Sequence, residues 1–358
     1  MKIAVLGSGN GACATAGEWA LNGHEVYMFD FEQFDKNIKV ISENKGIDVK
    51  GKVEGFGKIK YAGHDIEKVV KGADIIFAIG PAYSTEPFGE ACKGHLEKGQ
   101  IVIVMPSSCA GSIVFKKALG LDIDDYSITV SETSTLPYAA RVLEPGQVQI
   151  YNKLKGGYYI ATLPRKRNEE VYKKIEAVYG EIKLGENIFK TSLQNANPVI
   201  HPAVSLLNIG NIEREDDFFF YEQGVTPAVG RLIEALDKER MKIGDALGVN
   251  VESDVKIGVE QGYMQDENYE YGYAEAEGFK GILAQTDIEY RYFTEDVAYG
   301  LIFMIDLAET VGVETPVMKS IVEIVSVLLK RDFHKEEKRS LKKLGLDLNK
   351  IKRIVKEN

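Results

Sequence analysis

A histidine at position 201 stands in the stretch NPVIHP, residues 197–202, between two prolines and among apolar residues. Imidazole titrates near neutral pH, which makes histidine the commonest acid–base side chain of enzymes. A buried imidazole also needs hydrogen-bond partners. His201 is therefore either a core histidine whose hydrogen bonds are satisfied or a residue that transfers protons. The other histidines lie in a turn, in polar loops or in the charged tail: His24, His64, His95 and His334.

Pro202 decides how His201 is presented. Proline lacks the backbone N–H that an interior helical position donates, so it either opens a helix in its first turn or bends one. If a helix runs through this position, Asn197 lies one turn before His201 on the same face. Asn197 is then a candidate for contact with the substrate that His201 meets.

An acidic partner for His201 is found far later in the chain. A neutral imidazole that acts as a base needs its second nitrogen oriented, commonly by a carboxylate. Asp296 directly precedes an apolar run, Val297–Thr310, that predicts a buried helix. We expect His201 and Asp296 to lie within hydrogen-bond distance in the ligand-bound protein. Arg291 is the preferred cation for a substrate carboxylate. Other arginines that could serve are Arg141 and Arg231.

The amino-terminal stretch MKIAVLGSGNGACATAGEWALNGHEVYMFD has the order of a dinucleotide site. Lys2–Leu6 is a continuous apolar run that predicts a buried parallel strand. Gly7 permits the tight turn that follows, Gly9 lets the backbone approach a pyrophosphate, and Ala12 allows close helix–strand packing. The amino terminus of the next helix presents N–H groups to the phosphates. The candidate cofactor-binding residues of this loop are Gly7, Gly9, Asn10, Gly11 and Ala12.

Asp30 follows the second predicted strand, Glu25–Phe29. It is placed to accept hydrogen bonds from the adenosine ribose hydroxyls. Its charge repels a 2′-phosphate, and Phe31 and Glu32, which follow it, offer no arginine to hold one. The sequence therefore favours NAD, with NADP as the alternative cofactor. The competing interpretation of the loop is a glycine-rich turn in an unrelated α/β protein.

Further strands alternate with helices through the first half of the chain. Such alternation predicts a Rossmann-type, doubly wound parallel sheet whose ligands bind at the carboxyl ends of the strands. Pro81, Ser107 and Ser108 follow two of these strands and are candidates for lining the nicotinamide and the substrate. Ordinary strand-end turns explain them equally well. The predicted strands are Ala73–Gly80, Gln100–Met105, Ser127–Val130, Val148–Tyr151 and Tyr158–Thr162.

The second half of the chain has a helical pattern. Thr226 and Pro227 are typical of an N-cap and a first helical residue, and they open a helix predicted to run to Gly248. We expect a dinucleotide-binding Rossmann domain at 1–185 and an all-α substrate and catalytic domain at 186–358. No linker-like composition separates the two, so we expect them to abut and enclose a cleft.

The charge balance of the 358 residues excludes several classes of partner. Lys and Arg number 44 against 54 Asp and Glu, a formal net charge of −10, which disfavours binding to nucleic acid or to an anionic membrane. No apolar run reaches the roughly 18 residues of a membrane helix, and the amino terminus lacks the features of a signal peptide. Cys13, Cys92 and Cys109 are far apart and form no CxxC pair, so neither a disulfide framework nor a metal site is expected. We expect a cytoplasmic protein.

Five segments discriminate further than the glycine loop alone. They are GSGNGACATAGEWALNGHEV near the start, SETSTLPYAAR at 131–141, NPVIHP at 197–202, RYFTEDVAYGL at 291–301 and RSLKKLGL at 339–346. Together they resemble the octopine/nopaline (opine) dehydrogenase family, in the family's order and over nearly the whole chain. The resemblance implies an enzyme that uses NADH or NADPH to join a 2-oxo acid such as pyruvate to the amino group of an amino acid, or that oxidises the product. It also implies a helical second domain of the 6-phosphogluconate dehydrogenase C-terminal type.

The resemblance assigns roles to individual residues. The family's catalytic histidine falls on His201 and its aspartate on Asp296. The family's arginine, which grips cofactor phosphate or substrate charge, falls on Arg291. Glu132 lies where a family member contacts its amino-acid substrate. The expected partners are therefore small-molecule substrates, and a homodimer is a further expectation.

Two other functions fit parts of the sequence. A 2-oxoacid reductase of the ketopantoate-reductase kind shares the architecture, but it usually uses a lysine acid that has no match here. A non-catalytic regulatory protein that senses NAD would keep the dinucleotide fold without a His–Asp pair.

Two segments depart from the family, DDFFFYEQG (216–224) and QDENYEYGYAEAEG (265–278). The second either sets substrate selectivity or is a solvated loop.

Overall fold

The computed structural model describes residues 1–356, which form two compact units. The first unit comprises Met1–Leu154 and Tyr158–Thr191. The second unit comprises Lys155–Gly157 and the chain from Ser192 onward. The chain therefore leaves the first unit for three residues between two strands of its sheet and returns to it.

The first unit is built around one sheet of eleven strands. These are β1 Lys2–Leu6, β2 Glu25–Phe29, β3 Gly46–Gly51, β4 Gly55–Gly63, β5 Ile75–Ile79, β6 Ile101–Met105, β7 Thr129–Thr133, β8 Tyr138–Glu144, β9 Gln147–Lys153, β10 Tyr159–Leu163 and β11 Lys183–Leu184. Across the sheet they run in the order β11-β10-β7-β6-β5-β1-β2-β4-β3-β9-β8.

The centre of the sheet is parallel and doubly wound, as predicted. β1 pairs with β2 and β5, and β6 pairs with β5 and β7, all in parallel. Every residue of β5, β6 and β7 is buried, because the helices of a βαβ unit cover both faces of a parallel sheet. Towards the edges the sheet is mixed. The pairs β3–β4, β8–β9 and β7–β10 are antiparallel, which the sequence did not predict.

Six helices lie within the first unit, and a seventh contains the passage to the second. They are α1 Asn10–Leu21, α2 Asp35–Asn44, α3 Ile66–Val70, α4 Thr85–Cys92, α5 Gly111–Ala118, α6 Asn168–Tyr179 and α7 Ile188–Gln194. Short 3₁₀ turns occupy Glu32–Phe34, Ala82–Ser84 and Arg165–Arg167.

In its described residues the second unit consists of helices and the loops that join them, with no strand apart from one isolated bridge between Phe219 and Leu283. Its helices are α8 Asn197–Leu207, α9 Ile209–Glu213, α10 Pro227–Leu247, α11 Asp254–Gln261, α12 Gly272–Glu275, α13 Arg291–Thr294, α14 Ile302–Val311, α15 Pro316–Leu329, α16 Phe333–Glu336, α17 Leu341–Leu344 and α18 Leu348–Lys356. A 3₁₀ turn covers Glu277–Phe279 and a π-helix covers Asp296–Leu301. No helix in residues 1–356 combines the length and apolar character needed to cross a bilayer.

The predicted ends of α10 are confirmed. The Thr226 side chain accepts a hydrogen bond from the backbone N–H of Val229, Pro227 is the first helical residue, and Gly248 has the left-handed conformation that ends a helix. Twenty-one residues long, α10 is the main support of the unit. It contacts α8, α14 and α15.

Pro202 lies inside α8, which runs through it without ending. The first of the two predicted outcomes, a helix that starts at Pro202, is therefore wrong. Pro198, near the start of the helix, sits where its missing N–H costs nothing. Asn197 and His201 are consequently one turn apart on the same face.

The apolar run after Asp296 is helical, as predicted, but it is not one α-helix. Asp296–Leu301 form a π-helix, and α14 continues from Ile302. A π-helix adds a residue to a turn and is frequent at functional sites. Here it begins at the acid that the sequence analysis paired with His201.

Candidate active site

The glycine-rich loop joins β1 to α1 in the first unit. Gly7 has φ +110°, and a Cβ there would lie 2.4 Å from the carbonyl oxygen of Ile79, so only glycine fits. Gly9 has an ordinary φ of −77°, and a Cβ added to it meets nothing within 4 Å. The space beside Gly9 is therefore open on the side where a ligand would approach.

The first turn of α1 is suited to an anion. Gly9 provides no side-chain cap, and the first turn carries no acidic residue, so its N–H groups are available to phosphate oxygens. Ala12 is buried against the loop. The side chain of Asn10 is used within the protein, because its Oδ1 accepts a 2.8 Å hydrogen bond from Val142 N. The Leu136 side chain lies 3.0 Å from a Cβ position on Gly11.

Asp30 lies at the end of β2, close to this loop. Its Oδ2 accepts a 2.6 Å hydrogen bond from Ser8 Oγ, and its Oδ1 accepts one of 2.9 Å from Phe31 N. Burial raises the pKa of Asp30, although these hydrogen bonds oppose the shift. His64 Nδ1 lies 2.7 Å from the Asp30 carbonyl oxygen. Sequence reasoning missed His64 because it follows β4, a strand that was not predicted.

The segments after β5 and β6 differ in what they expose. Pro81 is partly exposed and leads into a 3₁₀ turn, where Ser84 Oγ donates to its carbonyl oxygen. Ser107 has no exposed surface and donates to a buried carboxylate, so in this structure it does not face a ligand, contrary to the prediction. Ser108 retains 9% exposure. Three successive residues, Ser108, Cys109 and Ala110, have φ between 45° and 67°, the strained left-handed region for side chains with a Cβ.

Glu132, on β7, is the carboxylate that holds this loop. It has no exposed surface. Its Oε1 accepts from Ser107 Oγ at 2.7 Å and from Thr191 Oγ1 at 2.6 Å. Its Oε2 accepts from the N and Oγ of Ser112 at 2.9 and 2.7 Å. In this conformation Glu132 cannot touch a substrate, which differs from the role implied by the sequence resemblance.

The second unit brings His201 and Asp296 together. His201 Nδ1 on α8 lies 2.8 Å from Asp296 Oδ2 on the π-helix. His201 keeps 7% exposure and Asp296 5%, so the pair is shielded from bulk water yet reaches the surface. The Tyr292 ring stacks on the imidazole at 4.0 Å and fixes its plane.

The second nitrogen of His201 has a partner that sequence reasoning missed. Nε2 lies 3.2 Å from the hydroxyl of Tyr221. Since a carboxylate only accepts, Nδ1 is assigned the proton, and Nε2 of the neutral ring accepts from the phenol. Burial raises the pKa of Tyr221 well above its usual value, and the neighbouring Tyr292 and Asp254 add to this. The phenol therefore stays protonated. Its segment, 216–224, was noted only as a departure from the family, since no periodicity marks a tyrosine as a histidine partner.

Two other predicted residues lie near this pair in sequence. Arg291, on α13, forms a 2.9 Å ion pair with Glu295 through its Nε, and its side chain is 47% exposed. The guanidinium therefore lies beside a carboxylate and is partly open to solvent. Asn197 is partly exposed in the first turn of α8. Within residues 1–356, no group of three or more His, Cys, Asp or Glu side chains is arranged to hold a metal ion.

Known proteins are similar to this chain over nearly its whole length. The sequence model of a family described as "NAD/NADP octopine/nopaline dehydrogenase, alpha-helical domain" matches residues 184–329. The opine dehydrogenase of Arthrobacter sp. (strain 1C) is 34% identical over 345 residues, which cover 96% of this chain and 94% of that protein. Protein ocs of Agrobacterium tumefaciens (strain Ach5) is 26% identical and covers 99% of this chain and 98% of its own.

A solved structure of octopine dehydrogenase with NADH and L-arginine has the same fold. It aligns with a TM-score of 0.81 at 19% identity, over 100% of this chain and 98% of that chain. The predicted fold class, a Rossmann-type sheet followed by a helical region, is confirmed.

A dinucleotide loop in one unit and a histidine–aspartate pair in another define an NAD(P)-dependent dehydrogenase. The chain belongs to the opine dehydrogenase family, on the strength of its full-length relationship to the Arthrobacter enzyme. It is an NAD(P)-dependent oxidoreductase that acts on CH–NH bonds, and the predicted family, enzyme class and cofactor are confirmed.

Proposed function

We propose that the enzyme condenses a 2-oxo acid such as pyruvate with the α-amino group of an amino acid and reduces the resulting C=N bond, or catalyses the reverse oxidation. The observation that carries this proposal is the 2.8 Å hydrogen bond between His201 Nδ1 and Asp296 Oδ2. Because that bond occupies Nδ1, the proton-transferring atom is Nε2.

His201 acts first on the amine. An amino acid is an ammonium ion at neutral pH and must lose a proton before its nitrogen can attack a carbonyl carbon. The Tyr221 hydroxyl turns its hydrogen away from His201 Nε2, which then takes that proton, and the Asp296 carboxylate stabilises the imidazolium that forms. When bound, the reduced nicotinamide supplies the hydride that the C=N carbon receives. General acid–base catalysis of this kind contributes about 10²- to 10⁴-fold to a rate.

The cofactor is held by residues of the first unit. Backbone N–H groups at the start of α1 would bind the pyrophosphate, the Asp30 carboxylate would bind the adenosine ribose, and Pro81 would border the nicotinamide. Asp30 favours NADH over NADPH because a 2′-phosphate would meet a carboxylate. The residues of the loop itself are Gly7, Gly9, Asn10, Gly11 and Ala12.

Substrate carboxylates need a cation. Arg291 supplies this cation or binds the cofactor phosphates instead, because its partly exposed guanidinium can donate two parallel hydrogen bonds to an anion. Asn197 hydrogen-bonds the substrate that His201 meets. Ser108 lines the nicotinamide end of the site. Glu132 and Ser107 support the loop that carries Ser108 and do not touch the substrate.

Three further expectations belong to this proposal. Residues 1–185 bind the cofactor and residues 186–358 carry the proton chemistry. The enzyme works in the cytoplasm, which suits three free cysteines that are all buried. It forms a homodimer, to be checked by sedimentation equilibrium.

The experiment is a matrix of pyruvate and longer 2-oxo acids against a panel of amino acids, each with NADH and with NADPH. NADH consumption should require both the oxo acid and the amine. Consumption with the oxo acid alone, at the same rate, would instead support a 2-oxoacid reductase of the ketopantoate-reductase kind.

His201→Asn tests the proton role separately. Asparagine keeps a polar side chain but cannot exchange a proton near neutral pH, so turnover should fall steeply while NADH affinity is preserved. Normal turnover by this variant would remove His201 from the mechanism. An NAD-sensing protein would show cofactor binding with no amine-dependent turnover in either form.

A further inference from the structure

We propose that Tyr221 is a second proton-transferring residue of the reaction, which delivers the proton collected by His201 to the oxygen that leaves as water. The inference rests on the proposed function, since it assigns the next step after His201 has deprotonated the amine. It concerns a residue that neither the sequence analysis nor the family relationship assigned.

Reductive condensation needs proton transfer at two atoms of one carbon. The amine loses a proton before it attacks, and the hydroxyl of the carbinolamine gains one before it departs. His201 Nε2 and the Tyr221 hydroxyl are 3.2 Å apart. Nitrogen and oxygen on the same carbinolamine carbon are closer together than that, so each can hydrogen-bond to one of the two groups at the same time.

The protonation states agree with a relay. Tyr221 is held as a neutral phenol, with a hydroxyl that can accept from imidazolium and donate to a third atom at once. Asp296 holds the other side of the imidazole at 2.8 Å, so the proton gained by the ring can leave only through Nε2. The Tyr221 oxygen is the acceptor that the structure places there.

The Tyr221 ring is fixed by its neighbours, which suits transfer over a set distance. It stacks on Phe279 at 4.3 Å and 16°, and Phe279 stacks on Tyr263 at 5.1 Å and 17°. The backbone just before Tyr221 is also held in place, because Phe220 N donates to the Ile282 carbonyl at 2.8 Å. Like His201, Tyr221 retains 7% exposure, so neither residue is completely closed off from the surface.

The step balances with one relayed proton. The ammonium gives a proton to Nε2, and the free amine forms a C–N bond to the carbonyl carbon while the carbonyl π pair goes to oxygen. A proton then moves from the new C–N nitrogen to that oxygen, which gives the neutral carbinolamine. Next, Nε2–H protonates the Tyr221 oxygen as the Tyr221 proton passes to the hydroxyl. The C–O bond breaks, water leaves with its electron pair, and the nitrogen lone pair forms the iminium. The oxo acid, amine and reductant of the proposed reaction are the only reactants.

The reverse reaction separates the two residues. Oxidation of the opine requires deprotonation of its secondary amine before the nicotinamide is reduced, which is the task of His201. Addition of water to the iminium comes afterwards and is the task of Tyr221. The substrate for the test is the N-(1-carboxyalkyl) amino acid that the wild-type enzyme makes from its best pair in the matrix.

The test compares wild type, Tyr221→Phe, His201→Asn and the control Tyr290→Phe. The control removes a hydroxyl from the same aromatic cluster, since Tyr290 is 43% exposed and contacts Tyr292 but not His201. Each enzyme is mixed rapidly with NAD⁺ and the opine, and NADH formation is followed through the first turnover and the steady state. Condensation rates and NADH dissociation constants are measured in parallel.

For Tyr221→Phe we expect condensation to fall at least about 100-fold, the lower range for a lost acid–base group. The NADH dissociation constant should stay within about twofold, because Tyr221 lies in the second unit, whereas the glycine loop and Asp30, which are proposed to bind NADH, lie in the first. The first turnover should form NADH at the wild-type rate. The amount of NADH formed in it should equal the concentration of folded active sites, and NADH formation should then continue at a slow steady-state rate. Tyr290→Phe should behave like wild type throughout.

Two results would overturn the assignment. Condensation by Tyr221→Phe within about twofold of wild type would show that the hydroxyl is not needed. A first turnover slowed as much as the steady state would show that Tyr221 only orients His201. Failure of the proposed function is a different outcome, namely unchanged turnover by His201→Asn.

Discussion

The partly buried carboxyl of Asp254 gives the protein a pH-dependent stability that one substitution should remove. Asp254 begins α11 and accepts a 2.6 Å hydrogen bond from the hydroxyl of Tyr273. Its backbone N–H donates to Asp237 Oδ2 at 2.9 Å, and Asp237 is paired with Arg240 at 2.6 Å, both fully buried. Burial, followed by the Asp237 charge, raises the pKa of Asp254 from 3.8 to about 6.

The direction of the effect follows from proton binding. In the unfolded chain Asp254 loses its proton near pH 3.8, whereas in the folded protein it keeps the proton until about pH 6. The folded state binds more protons between these values, so the free energy of unfolding falls as the pH rises through this window. Above it the full penalty is about 3 kcal/mol.

Asp254→Asn should remove that penalty. Asparagine carries no charge, and its amide oxygen can still accept from Tyr273, but burying the amide costs about 1 kcal/mol. We therefore expect the variant to be more stable than wild type by about 2 kcal/mol at pH 7 and less stable by about 0.5 kcal/mol at pH 4.

Urea unfolding followed by circular dichroism at several pH values measures this difference. The control is Asp245→Asn, which neutralises an exposed carboxylate on α10 and should change stability little at either pH. A variant that is destabilised at pH 7, or a difference that does not change between pH 4 and pH 7, would refute the reasoning.

Substitutions at four other residues have expected outcomes. Gly9→Ala should weaken NADH binding at least about tenfold with an unchanged thermal midpoint, because its Cβ enters open space, whereas Gly7→Ala should lower the midpoint as well. Asp296→Asn should reduce kcat by about 10²- to 10⁴-fold, and combining it with His201→Asn should cost little more, since the pair acts as a unit; additive losses would contradict this. Glu132→Gln should lower the free energy of unfolding by about 1–3 kcal/mol, because a carboxamide nitrogen would face a hydrogen-bond donor; unchanged urea unfolding would count against it.

The parts of the site that the sequence predicted are those set by local rules. The loop from Gly7 to Ala12 follows from the turn and the close approach that glycine alone allows. The ends of α10 follow from Thr226 and Gly248.

The contact between His201 and Asp296 is not set by a local rule. It was predicted because a basic imidazole needs a carboxylate partner, and the resemblance of two separate segments to the family supported the prediction.

The parts that were missed depend on long-range contacts. Tyr221 meets His201 through a turn that has no regular period, so nothing in its own segment indicates the contact. The burial of Glu132 depends on hydroxyls from three separate segments. In β4, buried and exposed residues do alternate, and the lysines at 58 and 60 face outward. This two-residue period is typical of a strand, although no strand was predicted there.

The wide turn at Asp296–Leu301 ties the position of the Asp296 carboxylate to the register of this helix. Deleting one residue would let the segment wind as an ordinary α-helix and would swing Asp296 by about 100° around the axis relative to α14. The carboxylate would then point away from the imidazole, although His201 and Asp296 would both still be present in the sequence. Substitutions along the segment can therefore be tolerated in related sequences, whereas a one-residue deletion would require another residue to supply the carboxylate that pairs with His201.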